Sequence, residues 1–336
     1  MAQSPLLDMT YGYMPAQIVY TAAELGLADA FGDGAHTSAD LAERTGAHEP
    51  SLRRLLGALT TLGAAEQRGP GLFALTAEGR RLRADHPRSI RALILLFAGP
   101  EMWRTWGELP ATLRTGETAW QKVTGTTSFE FFDQNPELGA TFHRAMAEHT
   151  REVAPEVARA VDFGRFGTVA DLGGGEGILL AEILRSAPET RGVLFDLPAG
   201  LKTADRVLAE AGVAGRCEIV PGDFFESVPG GADAYVMKSV IHDWDDERAA
   251  AILRACRAAM APDARLLLVE TVLPEVVAPA DRGHVMSDIN MLLATGGRER
   301  SEQEFAELLT GAGFALAGMT GPLPPSGYRV IEATPR

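Results

Sequence analysis

One stretch of the chain, Val169-Ala-Asp-Leu-Gly-Gly-Gly-Glu-Gly-Ile-Leu-Leu180, constrains the fold more than any other. Apolar and small residues lead into an acid, then a run of glycines, then an apolar segment that can continue as a helix. This order of strand, tight turn and helix is typical of a nucleotide-type ligand site in an α/β sheet. Gly173 and Gly175 let the backbone approach a ligand closely and take positive φ without a clash at Cβ. The alternative is an ordinary strand-to-helix turn that binds nothing.

The spacing of the glycines decides between ligand classes. A dinucleotide fingerprint requires its third glycine at position 178, where this chain has Ile178. The pattern present is Asp-x-Gly-x-Gly-x-Gly, with Asp171 just before the glycines. A carboxylate there repels a phosphate and attracts an ammonium group. The pattern therefore favours S-adenosylmethionine, which carries an amino group and a sulfonium, and we expect Asp171, Gly173 and Gly175 to bind it.

Composition narrows the class of protein. The 336 residues suggest about two domains, and 46% hydrophobic with 23% charged residues is an ordinary globular composition. The net charge of −14 argues against a nucleic-acid backbone or an anionic membrane surface as partner. Residues 1–8 show no basic region before an apolar run, and the apolar segment 92–98 is too short to span a bilayer. Cys217 and Cys256 form neither a disulfide framework nor a metal-binding spacing, so we predict a cytoplasmic protein without a metal.

Residues 1 to about 155 are predicted to be almost entirely helical. An apolar helix ends at Phe31, and a second runs from the cap residue Thr37 to Gly46. A third spans 51–63, with one apolar face formed by Leu52, Leu55, Leu56, Leu59 and Leu62. Residues 65–68 and 72–75 then flank a Pro/Gly turn as two strands. Helix, turn, helix and wing together predict a winged-helix module.

A winged helix also occurs in DNA-binding regulators, which is a rival interpretation. The second helix of the pair offers only Arg53 and Arg54 as basic groups, and the charges across the module are nearly balanced. A DNA-binding module usually carries a one-sided basic surface. Packing and dimerisation are therefore the favoured use of this module.

The segment between residues 103 and 146 holds a large share of the aromatic residues. Phe142 and Met146 are one helical turn apart and share a face. They are either core residues or part of a flat apolar pocket for an aromatic substrate.

From residue 165 onward the chain alternates between strand and helix patterns. The predicted strands are 168–171, 192–196, 217–220, 232–237 and 265–270, with a final hairpin of 314–319 and 329–332, and the predicted helices are 178–186, 199–211, 247–260 and 302–312. Alternation of this kind predicts a Rossmann-like, doubly wound, mostly parallel sheet. Ligands of such sheets bind beyond the carboxyl ends of the strands.

Polar residues gather at those strand ends. Asp196 ends the second strand, where an acid accepts hydrogen bonds from ribose hydroxyls, or else caps the following helix. Asp223 and Phe224 offer an acceptor and a ring for an adenine base, or else form a plain Gly-Asp turn. Lys238 follows the fourth strand.

His242 is the residue best suited to accept a proton near neutral pH. By itself a histidine among acids could equally be a solvated surface group. Glu270 closes an otherwise apolar strand, and Glu299 lies on a glycine loop. A carboxylate beside an imidazole fixes its tautomer and stabilises the imidazolium. The sequence shows no nucleophile elbow, no metal cluster and no phosphate-binding loop.

These segments together resemble a known family. Asp-Leu-Gly-Gly-Gly-Glu-Gly, Phe-Asp-Leu-Pro, Gly-Asp-Phe-Phe, Lys-x-x-x-His-Asp-Trp-x-Asp-Glu and Gly-Gly-Arg-Glu-Arg-Ser occur in the order found in S-adenosylmethionine-dependent O-methyltransferases of the plant caffeate and acetylserotonin type, whose bacterial relatives act on aromatic natural products. The resemblance covers nearly the whole chain. Glu176 departs from it, since the plant enzymes usually carry threonine there.

The resemblance implies a role for each matching residue. His242 would be a general base flanked by Glu270 and Glu299. Further cofactor contacts would be Gly173, Asp196, Leu197, Asp223, Phe224 and Lys238, and the substrate-binding positions would be Phe142, Met146, Asp243, Met286 and Asn290. The helical N-terminal domain would form a homodimer and close the partner's active site.

The sequence thus predicts a winged-helix dimerisation domain at 1–100, a helical linker at 101–160 and a Rossmann-like catalytic domain at 161–336. The expected reaction is methyl transfer from S-adenosylmethionine to a hydroxyl, with a phenol as the expected acceptor, giving S-adenosylhomocysteine. The alternatives are another reaction on the same fold, such as hydroxylation or decarboxylation, and the winged-helix regulator. We expect no nucleic-acid or membrane partner.

Overall fold

The computed structural model describes residues 4–336 of the chain. The chain forms two compact units. The first comprises the residues up to Trp103 together with Ala140–Glu148, and the second comprises Arg104–Gly139 and His149–Arg336. The domain boundaries at residues 100 and 160 stay a prediction.

Most of the regular structure is helical in the first half of the chain and mixed in the second. The helices are α1 (Pro5–Thr10), α2 (Tyr13–Glu24), α3 (Leu27–Phe31), α4 (Ser38–Thr45), α5 (Glu49–Thr61), α6 (Arg91–Phe97), α7 (Pro100–Gly107), α8 (Leu109–Thr115), α9 (Ala119–Thr124), α10 (Ser128–Gln134), α11 (Pro136–Ala160), α12 (Ile178–Ser186), α13 (Ala204–Glu210), α14 (Asp246–Ala259), α15 (Arg282–Ala294) and α16 (Glu302–Gly311). The strands are β1 (Ala35–Thr37), β2 (Ala65–Gly69), β3 (Leu72–Leu75), β4 (Thr168–Leu172), β5 (Arg191–Asp196), β6 (Cys217–Pro221), β7 (Ala234–Lys238), β8 (Arg265–Glu270), β9 (Val272–Leu273), β10 (Arg300–Ser301), β11 (Phe314–Met319) and β12 (Arg329–Pro335). None of the helices formed by residues 4–336 combines the length and apolar character that a membrane span requires.

The first unit contains the predicted helix pair and wing. Helix α4 begins after Thr37, which exchanges side-chain and backbone hydrogen bonds with Asp40, and ends at Gly46 in the left-handed conformation. Strands β2 and β3 pair antiparallel as the wing, and β1 pairs with the other edge of β3. The buried residues of the two helices include Leu41, Leu52, Leu56 and Leu59. The winged-helix pattern is therefore confirmed.

Three details of the first unit differ from the sequence prediction. The helix expected to run unbroken to Phe31 is divided between α2 and α3 at Gly26, whose φ of 60° cannot continue a helix. Strand β1 was not predicted, because three residues are too few to show alternation. Leu62 follows the last residue of α5 and is 43% exposed, so the apolar face of that helix ends before it.

The second unit is built on a seven-stranded sheet with the order β11-β12-β8-β7-β4-β5-β6. Strands β4 to β8 are parallel, and β12 runs antiparallel to both β8 and β11. Apolar clusters that draw on α12 and α13, and on α14 and α16, pack against the sheet. The doubly wound, mostly parallel sheet and its final hairpin are confirmed. The carboxyl ends of β4, β5, β7 and β8 meet at one edge, and this edge carries the site described below.

Two helices of the second unit differ from the prediction. The helix expected over 199–211 begins only at Ala204, because residues 198–203 form turns in which Gly200 lies against the Asp196 carboxylate. Helix α15 was not predicted, since its apolar residues do not keep to one stripe.

Candidate active site

The glycine turn between β4 and α12 depends on residues without a side chain. Gly173, Gly175 and Gly177 have φ of 68°, 55° and 81°. At Gly174 an added Cβ would lie 2.7 Å from the carboxyl carbon of Asp171. The N–H groups of Gly173 and Gly174 both donate to the carbonyl oxygen of Phe195, at 2.8 and 3.3 Å, which fixes the turn to the end of β5.

Asp171 lies directly beneath this turn. It is buried, and its Oδ2 has no hydrogen-bond partner among residues 4–336. Burial, with the nearby charge of Asp196, raises the pKa of Asp171 to about 7. An unpaired buried carboxylate oxygen is costly by itself, so this group is suited to a cationic or hydrogen-bond-donating ligand.

Asp196 connects the end of β5 to the glycine turn. Its Oδ2 accepts from the N–H of Gly175 at 2.7 Å and its Oδ1 from the N–H of Leu197 at 2.6 Å. Burial raises the pKa of Asp196, against these two hydrogen bonds. Since α13 begins only at Ala204, Asp196 is not a helix cap. Each carboxylate oxygen can accept a further hydrogen bond, as a ribose would require, and the Leu197 side chain beside it is 45% exposed.

Asp223 and Phe224 follow β6 at the same edge. Asp223 Oδ1 accepts from the N–H of Phe225 at 2.8 Å, so the Gly-Asp turn is present. The Phe224 ring still faces the glycine turn, because a Cβ on Gly173 would lie 3.6 Å from its Cε1. An adenosyl ligand that carries an ammonium group fits this edge of the sheet. Oδ2 of Asp171 lacks a hydrogen-bond partner within the described residues, the glycines of the turn have no side chains, and acids stand at the strand ends.

His242 lies in a short 3₁₀ turn, Ile241–Asp243, that follows β7. Its Nδ1 donates to Oε1 of Glu299 at 3.0 Å, and Oε2 of Glu270 lies 3.7 Å from the same nitrogen. All three residues are buried. The structure therefore brings the three predicted catalytic residues together, with Glu299 as the direct partner of the imidazole.

The two glutamates are anchored differently. Oε1 of Glu270 accepts from the N–H groups of Val240 and Ile241, at 3.1 and 2.9 Å, and so fixes the turn that carries His242. Oε1 of Glu299 also accepts from Ser287 Oγ at 2.7 Å. The other oxygen of each glutamate is buried without a hydrogen-bond partner among residues 4–336.

The pKa values of His242, Glu270 and Asp243 depend on one another, because their charges interact. Burial lowers the pKa of His242, but the surrounding carboxylates, Glu270 foremost, outweigh burial and raise it to about 10. Burial raises the pKa of Glu270 to about 7. Asp243, whose Oδ1 lies 3.8 Å from Nε2 of His242, has its pKa raised to about 6 by burial. The cluster thus holds the imidazole as a strong base.

Ligand atoms of His242, Glu270 and Glu299 also lie within 4.8 Å of one another, a spacing that a metal ion could use. The distance of 3.0 Å between Nδ1 and Oε1 is that of a shared proton, so the imidazole and Glu299 satisfy each other without an ion. The geometry therefore suits proton transfer.

A glycine loop holds the backbone of His242. A Cβ on Gly297 would lie 2.1 Å from the carbonyl oxygen of His242, which instead accepts from the N–H of Arg298 at 2.9 Å. Arg300 is 1% exposed and donates to the carbonyl oxygens of Ile241 and Trp244, on either side of His242. Sequence reasoning did not assign these roles, although the Gly-Gly-x-x-Arg spacing is visible in the chain.

The predicted substrate positions are spread over several elements. Asn290 lies on α15, three residues after Ser287, and its Oδ1 accepts from Trp106 Nε1 at 3.3 Å. Met286 on the same helix is 46% exposed. Phe142 and Met146 lie on α11 within the first unit and are partly buried. Ser287 was missed, because it belongs to no local pattern, whereas Trp106 lies in the aromatic segment noted from the sequence but was not named as a site residue.

Two family models match the chain. The model of the O-methyltransferase domain matches residues 106–315, and that of the O-methyltransferase dimerisation domain matches residues 7–85. The chain belongs to the S-adenosylmethionine-dependent O-methyltransferase family. This confirms the resemblance, the class of enzyme and the cofactor expected from the sequence.

Individual members of the O-methyltransferase family are similar over their full length. The chain is 42% identical to a phenazine O-methyltransferase from Lysobacter antibioticus, over 99% of this chain and 96% of the relative. It is 41% identical to an O-demethylpuromycin O-methyltransferase from Streptomyces alboniger, over 99% and 89%. Among solved structures, an O-methyltransferase from neocarzinostatin biosynthesis, bound to S-adenosylmethionine and 2-hydroxy-5-methyl naphthoic acid, matches with a TM-score of 0.82 and 33% identity over 100% of both chains.

Proposed function

We propose that His242 is the general base of this O-methyltransferase and removes the proton of a phenolic hydroxyl. One observation carries the proposal: Glu299 fixes Nδ1 of His242 as the donor, which leaves Nε2 as the nitrogen that can accept a proton. When bound, S-adenosylmethionine supplies an electrophilic methyl group on a sulfonium. The chain's own contribution is to hold and move the proton of the acceptor.

The pKa values of the cluster suit this acceptor. An unperturbed phenol has a pKa of about 10, so little phenolate exists at neutral pH. The carboxylates raise the pKa of His242 to about 10, so the imidazole and the phenol have nearly equal pKa values and the proton can pass between them at little cost. A pKa of about 10 also keeps His242 protonated in most molecules at neutral pH, so the base acts from the fraction of molecules whose Nε2 is free, and that fraction grows as pH rises. Base assistance of this kind typically accelerates a reaction roughly 10²- to 10⁴-fold.

We assign cofactor binding to the glycine turn and the strand ends around it. Asp171 and Lys238 would face the charged groups of the ligand, Asp196 and Leu197 its ribose, and Asp223 and Phe224 its base. The support is the orphaned Oδ2 of Asp171 and the free acceptor capacity of Asp196.

The proposed acceptor is an aromatic small molecule. The relatives named above act on a phenazine or a demethylated puromycin, and the solved relative holds a naphthoic acid. Phe142, Met146, Asp243, Met286 and Asn290 stay the predicted acceptor-binding residues. Asp243 is supported by its place 3.8 Å from Nε2 of His242.

We further propose a homodimer formed through the N-terminal region. The match to the dimerisation domain supports it, as do the exposed apolar residues at the start of the chain, Leu6, Leu7, Met9, Tyr11 and Tyr13. A cytoplasmic location, metal-free chemistry and the absence of a nucleic-acid partner stay predictions from the sequence.

The test separates the base from the cofactor site with two variants. His242→Gln is expected to lower kcat at pH 7 by roughly 10²- to 10⁴-fold with a small phenolic acceptor, while its affinity for S-adenosylhomocysteine in calorimetry stays unchanged. Asp196→Ala is expected to show the opposite pattern, a large loss of that affinity. The wild type fixes the reference for both measurements.

Two results would overturn the assignment. Undiminished turnover of His242→Gln would show that holding acceptor and methyl group together is sufficient. Consumption of the acceptor without formation of S-adenosylhomocysteine would show that the chain performs a different reaction.

A further inference from the structure

Tyr328 connects the C-terminal hairpin to the end of β7. It is buried, and its hydroxyl lies 2.8 Å from Oγ of Ser239. The backbone of Tyr328 is fixed as well, since its carbonyl oxygen accepts from the N–H of Leu323 at 2.7 Å. The phenol is thus directed at the residue that follows Lys238.

Ser239 holds an unusual backbone conformation. Its φ is 53°, the one positive value among the non-glycine residues of the range 4–336. Its N–H donates to the carbonyl oxygen of Val269 at 3.0 Å, and its Oγ accepts from Nζ of Lys238 at 3.1 Å. A serine in this region carries a conformational cost of roughly 1–3 kcal/mol, and such costs are typically found at functional sites.

The Lys238 ammonium contacts Ser239 and Tyr328 at the end of β7. Burial lowers the pKa of Lys238 to about 8, against the charges of Glu270, Asp171 and Asp243. The ammonium lies 5.4 Å from the centroid of the Tyr328 ring, within the range of a cation–π contact. Ser239 and Tyr328 together therefore set the direction of this cation.

The His149 ring also packs against the Tyr328 ring. Their ring centroids are 5.7 Å apart, at an interplanar angle of 52°. Burial, together with the charges of Lys238 and His242, lowers the pKa of His149 to about 4, so the imidazole is neutral at neutral pH. A neutral ring packs against the tyrosine without repelling the neighbouring ammonium.

We propose that Tyr328 is a positioning residue for the cofactor. Acting through Ser239 Oγ and through its ring face, it holds the Lys238 ammonium in the orientation that binds S-adenosylmethionine. This inference rests on the proposed function, because the contact of Lys238 with the cofactor is part of that proposal.

A double-mutant cycle tests the coupling between Tyr328 and Lys238. Tyr328→Phe keeps the ring and removes the hydroxyl, and we expect it to weaken S-adenosylhomocysteine binding roughly 3- to 10-fold, as loss of one hydrogen bond would. It should raise the KM for S-adenosylmethionine by a similar factor and leave kcat unchanged. Lys238→Met should weaken binding more, and adding Tyr328→Phe to it should cause no further loss. Ser239→Ala should reproduce the effect of Tyr328→Phe.

Tyr235→Phe is the matched control. Tyr235 is also buried and lies on β7, but near the start of that strand rather than at its carboxyl end. Its hydroxyl accepts from the N–H of Ala232 and donates to the carbonyl oxygen of Ala259, both of which are backbone groups. The inference is overturned if Tyr328→Phe binds like this control, or if its effect persists in the Lys238→Met background. Unchanged binding by Lys238→Met would instead refute the cofactor role of Lys238 in the proposed function, and the inference with it.

Discussion

Nδ1 of His242 lies 3.0 Å from Oε1 of Glu299, and this contact determines what the imidazole can do. A carboxylate accepts the Nδ1 proton, so the opposite nitrogen is the one presented to a ligand. Ser287 and Glu270 support the pair from α15 and from the end of β8. The proposed base is therefore assembled from separate parts of the chain, and each part can be perturbed by itself.

Removal of the Glu299 charge should make His242 a weaker base. In Glu299→Gln we expect the pKa of His242 to fall from its raised value toward the ordinary range, because one of the anions that favour imidazolium is gone. Nitrogen-15 NMR of labelled histidine, followed over pH, measures this directly. Glu302→Gln removes an exposed carboxylate three residues away and should leave the titration of His242 unchanged.

Loss of the Ser287 hydroxyl should slow turnover moderately. Ser287→Ala removes one hydrogen bond to Oε1 of Glu299, worth about 1 kcal/mol, so we expect kcat to fall roughly 5-fold at constant affinity for S-adenosylhomocysteine. Steady-state kinetics with calorimetry on the same samples measures both. Ser186→Ala, which removes a bond to a backbone carbonyl on α12, should have no effect on kcat.

A side chain at position 297 should displace the base. In Gly297→Ala the new Cβ would lie 2.1 Å from the carbonyl oxygen of His242, so the backbone must move. We expect kcat to drop at least about 10-fold, with a loss of roughly 1–3 kcal/mol in unfolding free energy. Gly311→Ala on α16 places its Cβ in open space and is the control. Full activity of Gly297→Ala would mean that the loop does not fix His242.

The buried Asp171 should make stability depend on pH. Its pKa is raised from 3.8 to about 7, so the folded state holds the proton more tightly than the unfolded state. Wild-type stability contributed by this group is therefore present below pH 4 and lost as pH rises toward 7. Asp171→Asn cannot titrate, and we expect its stability relative to wild type to rise between pH 4 and 7, by at most roughly 4 kcal/mol. Denaturant unfolding at pH 5 and pH 8 measures the difference, and an equal difference at both values would refute the prediction.

The sequence predicted those elements whose signals are local. The bounds of α12 and β8 agree with the prediction to the residue, because a glycine run precedes the first and an unbroken apolar run forms the second. The start of α13 was placed five residues too early, since nothing in the local pattern shows that Gly200 must pack on Asp196. Helix α15 has no apolar stripe from which it could be predicted. Its position depends on contacts with residues far away in the chain.

The same distinction holds within the site. His242, Glu270 and Glu299 could be named from strand ends and spacing, since the carboxyl ends of parallel strands share an edge. Ser239, Tyr328 and His149 could not, because residues up to 179 positions apart along the chain meet only through the sheet topology. Arg300 belongs to the Gly-Gly-Arg-Glu-Arg-Ser motif, but only its hydrogen bonds in the structure show that it holds the turn around His242.

Helix α15 carries, on neighbouring positions, a contact to the proposed base and a predicted acceptor contact. Ser287 steadies the carboxylate that orients the base, and Asn290, less than one turn later, is held by Trp106 among the predicted acceptor contacts. Directed evolution toward a new acceptor would naturally target this helix. Mutations that shift or rotate α15 to widen acceptor range will also move Ser287, so selectivity and rate should change together in such libraries. Met286, with its exposed side chain, is the position on α15 where the two can best be varied separately.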